Sequence, residues 1–113
     1  MPIELDDIQT GPPQPVVLIT TIEGPPENVE RVTRAAQGQL LAVYRGQPGW
    51  CGALGLLGFG RRRSLVLSFW ESEQALLEGG MAHAAEFRRR ASAAGVTITG
   101  SERLEIVFDE RVE

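Results

Sequence analysis

The sequence has very little of the chemistry on which most enzyme sites depend. Among 113 residues there is one cysteine, Cys51, and one histidine, His83. A lone cysteine cannot form an intramolecular disulfide, and no His, Cys and Asp cluster has the spacing of a metal site. The glycines of residues 55–60 stand in the wrong order for a nucleotide-binding loop and lead into a strand. We therefore expect no cofactor, whether metal, haem or flavin, and we expect Cys51 to be a buried structural thiol.

Other absences limit the class of protein. The net charge of -4 disfavours nucleic acid as a partner, because phosphate binding needs a basic surface. No apolar run reaches the roughly 18 residues of a membrane span. The first seven residues are acidic, where a signal peptide would be basic and then apolar. The sequence therefore predicts a single-domain cytoplasmic protein that binds neither nucleic acid nor a membrane.

The N-terminal segment differs from the rest of the chain. Residues 1–14 are acidic and then rich in turn-forming residues, and three prolines follow one another closely at Pro12, Pro13 and Pro15. Prolines cannot donate hydrogen bonds to a sheet. This pattern predicts an extended arm over residues 1–14 and a folded domain over residues 15–113.

The folded part alternates strands and helices in the order βαββαβ. Strands are predicted at residues 16–22, 50–59, 64–70 and 96–108, and the first helix presents an apolar stripe at helical spacing: Val29, Val32, Ala36, Leu40 and Val43. Ser72 is a suitable N-cap for the second helix, in which Gly79 and Gly80 predict a kink or a break. Gly95 is placed to end that helix.

This order predicts an α+β fold, the ferredoxin-like plait, with a four-stranded antiparallel sheet and both helices on one face. The first and third strands are apolar on both faces, so the face away from the helices also needs a cover. At this length we expect that cover to be a second copy of the chain, which makes a homodimer through the sheet face.

Several segments resemble the antibiotic-biosynthesis-monooxygenase (ABM) domains of the dimeric α+β barrel superfamily. They are Pro48, Gly49 and Trp50 at the start of the second strand, residues 68–75 at the junction of the third strand and the second helix, and residues 101–107 in the last strand. The resemblance covers about residues 16–108. It implies a monooxygenase that needs no cofactor and acts on a phenolic or quinol molecule. The Asn, second Trp and late His of the haem-degrading members have no counterpart here, which argues against haem degradation.

Five residues are candidates for a site. His83, seven residues after Leu76 and four before Phe87, is turned towards the sheet by its helical spacing, and a neutral imidazole there could exchange a proton with a phenol. The other candidates would bind the substrate through aromatic walls or a phenol donor: Trp50, Trp70, Phe87 and Tyr44. Each has a structural alternative. His83 would then be a partly buried helix residue, Trp70 would pack between sheet and helix, and Tyr44 would lie at a helix end.

Two functions remain open at this point. One is a monooxygenase in which His83 is the acid or base and lines the main cavity. The other is a non-catalytic homodimer that binds a small aromatic ligand or acts as an accessory protein. The few polar residues favour the second function, and the resemblance favours the first.

Overall fold

The structure is a computed structural model that describes residues 15–110. The predicted arm, residues 1–14, lies outside the described residues. The order of elements is the predicted one, with these bounds: β1 (Val16–Glu23), α1 (Pro26–Tyr44), β2 (Trp50–Leu57), β3 (Arg63–Trp70), α2 (Glu73–Ala75), α3 (Ala84–Ala93) and β4 (Thr97–Glu105). A π-helical turn (Leu76–Gly80) and a 3-10 turn (Met81–His83) join α2 to α3, so the second predicted helix is one interrupted helical segment.

The four strands form one antiparallel sheet in the order β2-β3-β1-β4. This is the strand order of the predicted ferredoxin-like plait, and that prediction is confirmed. Val16 pairs with Trp70 and Leu18 with Ser68. These residues are buried on the sheet face that packs against the helices.

The core between sheet and helices consists of two clusters. One surrounds Trp70 and Leu76, which are fully buried, together with Tyr44 at the end of α1. The other joins Val29 of α1 to Ala91 of α3. The two clusters lie towards opposite ends of α1, and Leu40 packs against both of them.

The interruption of the second helix is centred on Trp70. Ser72 caps α2 as predicted, its Oγ accepting a hydrogen bond from the backbone N–H of Ala75 at 3.1 Å. A Cβ on Gly79 would stand 2.6 Å from Trp70 Cζ3, and one on Gly80 would stand 3.2 Å from Cζ2. The glycines therefore let the indole lie directly against the helix backbone, and the predicted break at this point is confirmed.

Cys51 is exposed, so the prediction of a buried thiol is wrong. The register passes from Trp50 opposite Trp70 to Gly52 opposite Phe69, which leaves Cys51 as the extra residue of a bulge. The strand ends also differ from the prediction. β2 ends at Leu57, short of residue 59, and β4 ends at Glu105, short of residue 108.

The sheet face away from the helices is apolar, as predicted. Leu67 lies at its centre, between Ile19 on β1 and Leu54 on β2. Leu54 is 50% exposed, and Leu56 and Leu104 on the same face are exposed as well. Among the described residues, no helix is long and apolar enough to cross a membrane.

Candidate active site

A cavity of about 300 Å³ lies between the sheet and the two helices. One wall is a single stripe of α1 that runs from Arg31 to Tyr44, and the facing wall comes from α3 and the residue after it. The sheet supplies the floor. The lining residues are Thr20, Ile22, Arg31, Val32, Ala35, Ala36, Gln39, Leu40, Tyr44, Val66, Ser68, Phe87, Arg90, Ala91, Ala94 and Ile98.

The space exists because small side chains face one another across it. Ala35 and Ala36 of α1 lie opposite Ala91 and Ala94 at the end of α3. None of these reaches far enough to fill the gap above the sheet. A void of this size is at the lower limit for a small-molecule pocket.

Tyr44 lies at one end of the cavity. It is almost fully buried, and burial raises the pKa of its phenol, while the Ser68 hydroxyl opposes that rise. Ser68 Oγ accepts a hydrogen bond from Trp70 Nε1 at 2.9 Å, which leaves the Ser68 proton free to be donated. A phenol is protonated at neutral pH even at its ordinary pKa of about 10, and burial of Tyr44 only strengthens that preference, so Tyr44 can donate its proton in a hydrogen bond to a ligand.

Tyr44 is also the centre of an aromatic cluster. Its ring meets that of Trp70 edge-on at 5.1 Å, that of Phe87 edge-on at 6.1 Å and that of Trp50 at 6.3 Å. The His83 ring lies 6.2 Å from the Phe87 ring. The structure thus brings all five predicted site residues together in one cluster.

Only two of the five predicted residues line the cavity, namely Tyr44 and Phe87. Trp70 is buried behind Tyr44, against Gly79 and Gly80. The indole N–H of Trp50 is buried and has no acceptor among residues 15–110.

His83 is not among the residues that line the cavity, contrary to the prediction; its ring lies 6.2 Å from that of Phe87, which does line it. A π-helical turn and a 3-10 turn lie between Leu76 and His83, so the regular α-helical spacing on which the prediction rested does not hold there.

Sequence reasoning missed several lining residues, above all Arg31 and Arg90. Arg31 is adjacent to Val32 of the apolar stripe, and that adjacency was the available signal. Arg90 belongs to a basic triplet, residues 88–90, that looks uniformly solvated in the sequence. Only the packing of α3 distinguishes Arg90 from Arg89.

No group of three or more His, Cys, Asp or Glu side chains that could hold a metal ion occurs within residues 15–110. The titratable groups that line the cavity are Tyr44 and the two arginines. The arrangement can therefore orient an apolar molecule, donate hydrogen bonds and stabilise negative charge.

The chain matches no protein-family model, and no curated protein sequence matches it. Solved structures do match. A monooxygenase from the ActVA-Orf6 gene of Streptomyces coelicolor, in complex with nanaomycin D, is 20% identical over 88% of this chain and 92% of that chain, with a TM-score of 0.65. SnoaB, a cofactor-independent oxygenase from Streptomyces nogalater, is 16% identical over 88% and 97%, with a TM-score of 0.59.

A protein from Bordetella bronchiseptica, proposed to be an antibiotic biosynthesis monooxygenase, is 14% identical over 84% of this chain and 99% of that chain, with a TM-score of 0.66. Other similar structures are of proteins of unknown function. The chain therefore has the fold of the ABM-type monooxygenases, as its sequence motifs predict.

Proposed function

We propose that this protein is a cofactor-independent monooxygenase that converts a phenolic or quinol molecule to a quinone. The observation that carries the proposal is the apolar cavity with the protonated Tyr44 phenol at one end, set in the fold shared with such oxygenases. The fold by itself does not determine the reaction, and it is the residues lining the cavity that support this one.

The reaction balances without a cofactor. The phenol loses its O–H proton, and the ring carbon of the resulting anion bonds to O₂. The peroxide formed then loses water as its O–O bond breaks, which leaves one oxygen atom in the quinone and one in the water. Phenol plus O₂ thus gives quinone plus water, and the substrate supplies all the electrons.

The protein contributes orientation, exclusion of water and a hydrogen bond. The alanines and Val66 surround the ring system, and Tyr44 donates to the oxygen on which negative charge develops. His83, the only imidazole in the sequence, is a second candidate for proton exchange. To act there, it would have to reach into the cavity, which it does not line.

A second candidate function is a non-catalytic binding protein for a small aromatic ligand. Among the residues that the structure describes, no carboxylate or imidazole lines the cavity, which favours this function. Such a protein would bind the same phenols but would consume no oxygen.

Oxygen uptake on a panel of naphthols and anthracenols distinguishes the two functions. An oxygenase consumes one O₂ per quinone formed. We expect Tyr44→Phe, which keeps the ring packing, to lower the rate by about 10²-fold through loss of one donor. His83→Ala is the comparison, and a loss as large as that of Tyr44→Phe would restore His83 as the acid or base. If no phenol causes oxygen uptake, the function that remains is the non-catalytic binding protein.

We also propose a homodimer closed through the apolar sheet face, located in the cytoplasm. The exposed leucines of that face support the dimer, since monomers rarely expose a contiguous apolar patch. An obligate interface of this kind buries on the order of 2,000 Å² or more.

A further inference from the structure

We propose that the cavity accepts an aromatic substrate that carries a carboxylate, and that Arg31 and Arg90 bind this group. The inference rests on the proposed function only in placing the substrate in the cavity. It concerns which phenols bind and is independent of whether they react.

The charge of the cavity is opposite to that of the protein. The chain has 15 acidic and 11 basic residues, yet the charged side chains of residues 15–110 that line the cavity are two arginines, with no Asp or Glu among them. The two guanidinium groups that line this cavity are not both neutralised by carboxylates of the described residues. A ligand with a negative charge could therefore pair with them. A neutral phenol would need neither arginine.

Arg31 is held in place but is not neutralised. Its Nη2 donates a hydrogen bond at 2.9 Å to the carbonyl of Ala94, at the C-terminal end of α3. This bond fixes the guanidinium across the gap between the two helices. Among the described residues no carboxylate forms an ion pair with Arg31, so its remaining N–H groups are available to a ligand carboxylate.

Arg90 lies one helical turn before Ala94, on the same side of the cavity. Its Nη2 is 2.8 Å from Glu86 Oε1, and Arg89 approaches the same oxygen at 3.9 Å. One carboxylate is therefore shared by two arginines, and the group formed by Arg31, Arg89, Arg90 and Glu86 keeps a net positive charge.

The cationic end and the hydroxyl end are well separated. Arg31 and Tyr44 stand thirteen positions apart on α1, which corresponds to about 20 Å along a helix axis. Both side chains reach into the cavity, with apolar residues between them. The two side chains themselves take up part of this backbone separation, so the substrate that fits is a rigid aromatic, shorter than that separation, with a hydroxyl at one end and a carboxylate at the other.

Binding of 6-hydroxy-2-naphthoate, compared with its methyl ester, tests the proposal by calorimetry. The ester keeps the ring system and the hydroxyl, adds one methyl group and removes the negative charge. We expect the acid to bind about tenfold or more tightly than the ester. Added salt should weaken binding of the acid and leave that of the ester nearly unchanged.

Matched variants locate the effect. Arg31→Gln and Arg90→Gln should each weaken binding of the acid by about tenfold and spare the ester. The controls are Arg34→Gln, on the side of α1 that faces β2, and Arg88→Gln, an exposed residue of α3 outside the cavity; neither should change the preference. Melting temperatures show whether each variant is folded.

Three results would overturn the proposal. They are equal affinity for the acid and the ester, control variants that lose as much affinity for the acid as the Arg31 and Arg90 variants do, and no detectable binding of either compound at about 1 mM. These outcomes say nothing about oxygen uptake, which is measured separately. A failed preference for the acid and a failed oxygenase activity are therefore distinguishable.

Discussion

At the residue scale, Tyr44 links the core to the site. Its ring holds the aromatic cluster together, and its hydroxyl is the donor at one end of the cavity. Burial raises its pKa, which suits a group that must donate a hydrogen bond at neutral pH and must not ionise. Ser68 connects it to Trp70 and so sets the side chain between two fixed partners.

The raised pKa of Tyr44 predicts a specific pH dependence. Folding favours the protonated phenol, so its contribution to stability is complete below the unfolded pKa of about 10 and is lost as the pH rises towards the folded pKa. We expect the free energy of unfolding of the wild type to fall more steeply above about pH 10 than that of Tyr44→Phe.

Because Tyr44 is the only tyrosine, tyrosinate absorbance reports its ionisation directly. Titration of the native protein should give a pKa above that of the denatured chain. A native titration that coincides with the denatured one would contradict the account of Tyr44 as a buried donor.

At the element scale, the interrupted second helix sets the position of everything that α3 presents to the cavity. Alanine at Gly79 would gain helix propensity, but its Cβ would clash with the indole of Trp70. Because that Cβ would stand only 2.6 Å from Trp70, the clash outweighs the gain in helix propensity. The helix backbone cannot move away without displacing Leu76, which is fully buried.

Gly79→Ala should therefore destabilise the protein, by about 1–3 kcal/mol as an overpacked site. Gly38→Ala is the matched control, since Gly38 lies inside α1 and a Cβ there meets nothing within 4 Å. It should stabilise by about 0.5–1 kcal/mol through helix propensity. Thermal and denaturant unfolding measure both changes, and two shifts of the same sign would contradict this reading.

The sequence predicts the elements well because each has a local signal. Hydrophobic period, the Ser72 cap and the two glycines predict the strands and the broken helix without reference to the rest of the chain. The site depends on rotations that local patterns do not contain. A π-helical turn and a 3-10 turn interrupt the α-helical spacing before His83, and Cys51 is the extra residue of a β-bulge; the hydrophobic pattern contains neither the changed spacing nor the extra residue.

At the scale of the whole molecule, the main feature is the apolar sheet face away from the helices, which no part of residues 15–110 covers. Leu67 lies at its centre, between neighbours from both adjacent strands. A charge placed there would be buried without a partner in the proposed dimer, and such a charge is costly. In a monomer the same charge would lie near solvent and would be tolerated.

Leu67→Asp should therefore convert the dimer to a monomer in light scattering at micromolar concentration. Leu77→Asp is the matched control, since Leu77 is an exposed leucine on the π-helical turn, away from the sheet. It should leave the dimer intact. A monomeric wild type, or a Leu67→Asp dimer as stable as the wild type, would contradict the proposed assembly.

The central claim is that the cavity between the sheet and the two helices is where a phenol meets oxygen. It can be tested by filling the cavity from each wall, with Ala36→Leu on α1 and Ala91→Leu on α3. The matched controls, Ala42→Leu and Ala85→Leu, lie on the same two helices at exposed positions outside the cavity.

The measurement is incorporation of label from ¹⁸O₂ into the quinone formed from the panel of naphthols and anthracenols. We expect the wild type and both controls to place one labelled oxygen atom in the product, and both cavity-filling variants to lose this activity while remaining folded. Two results would contradict this function of the cavity. One is that the cavity-filling variants form labelled quinone at the wild-type rate, and the other is that the wild type forms no labelled quinone from any phenol.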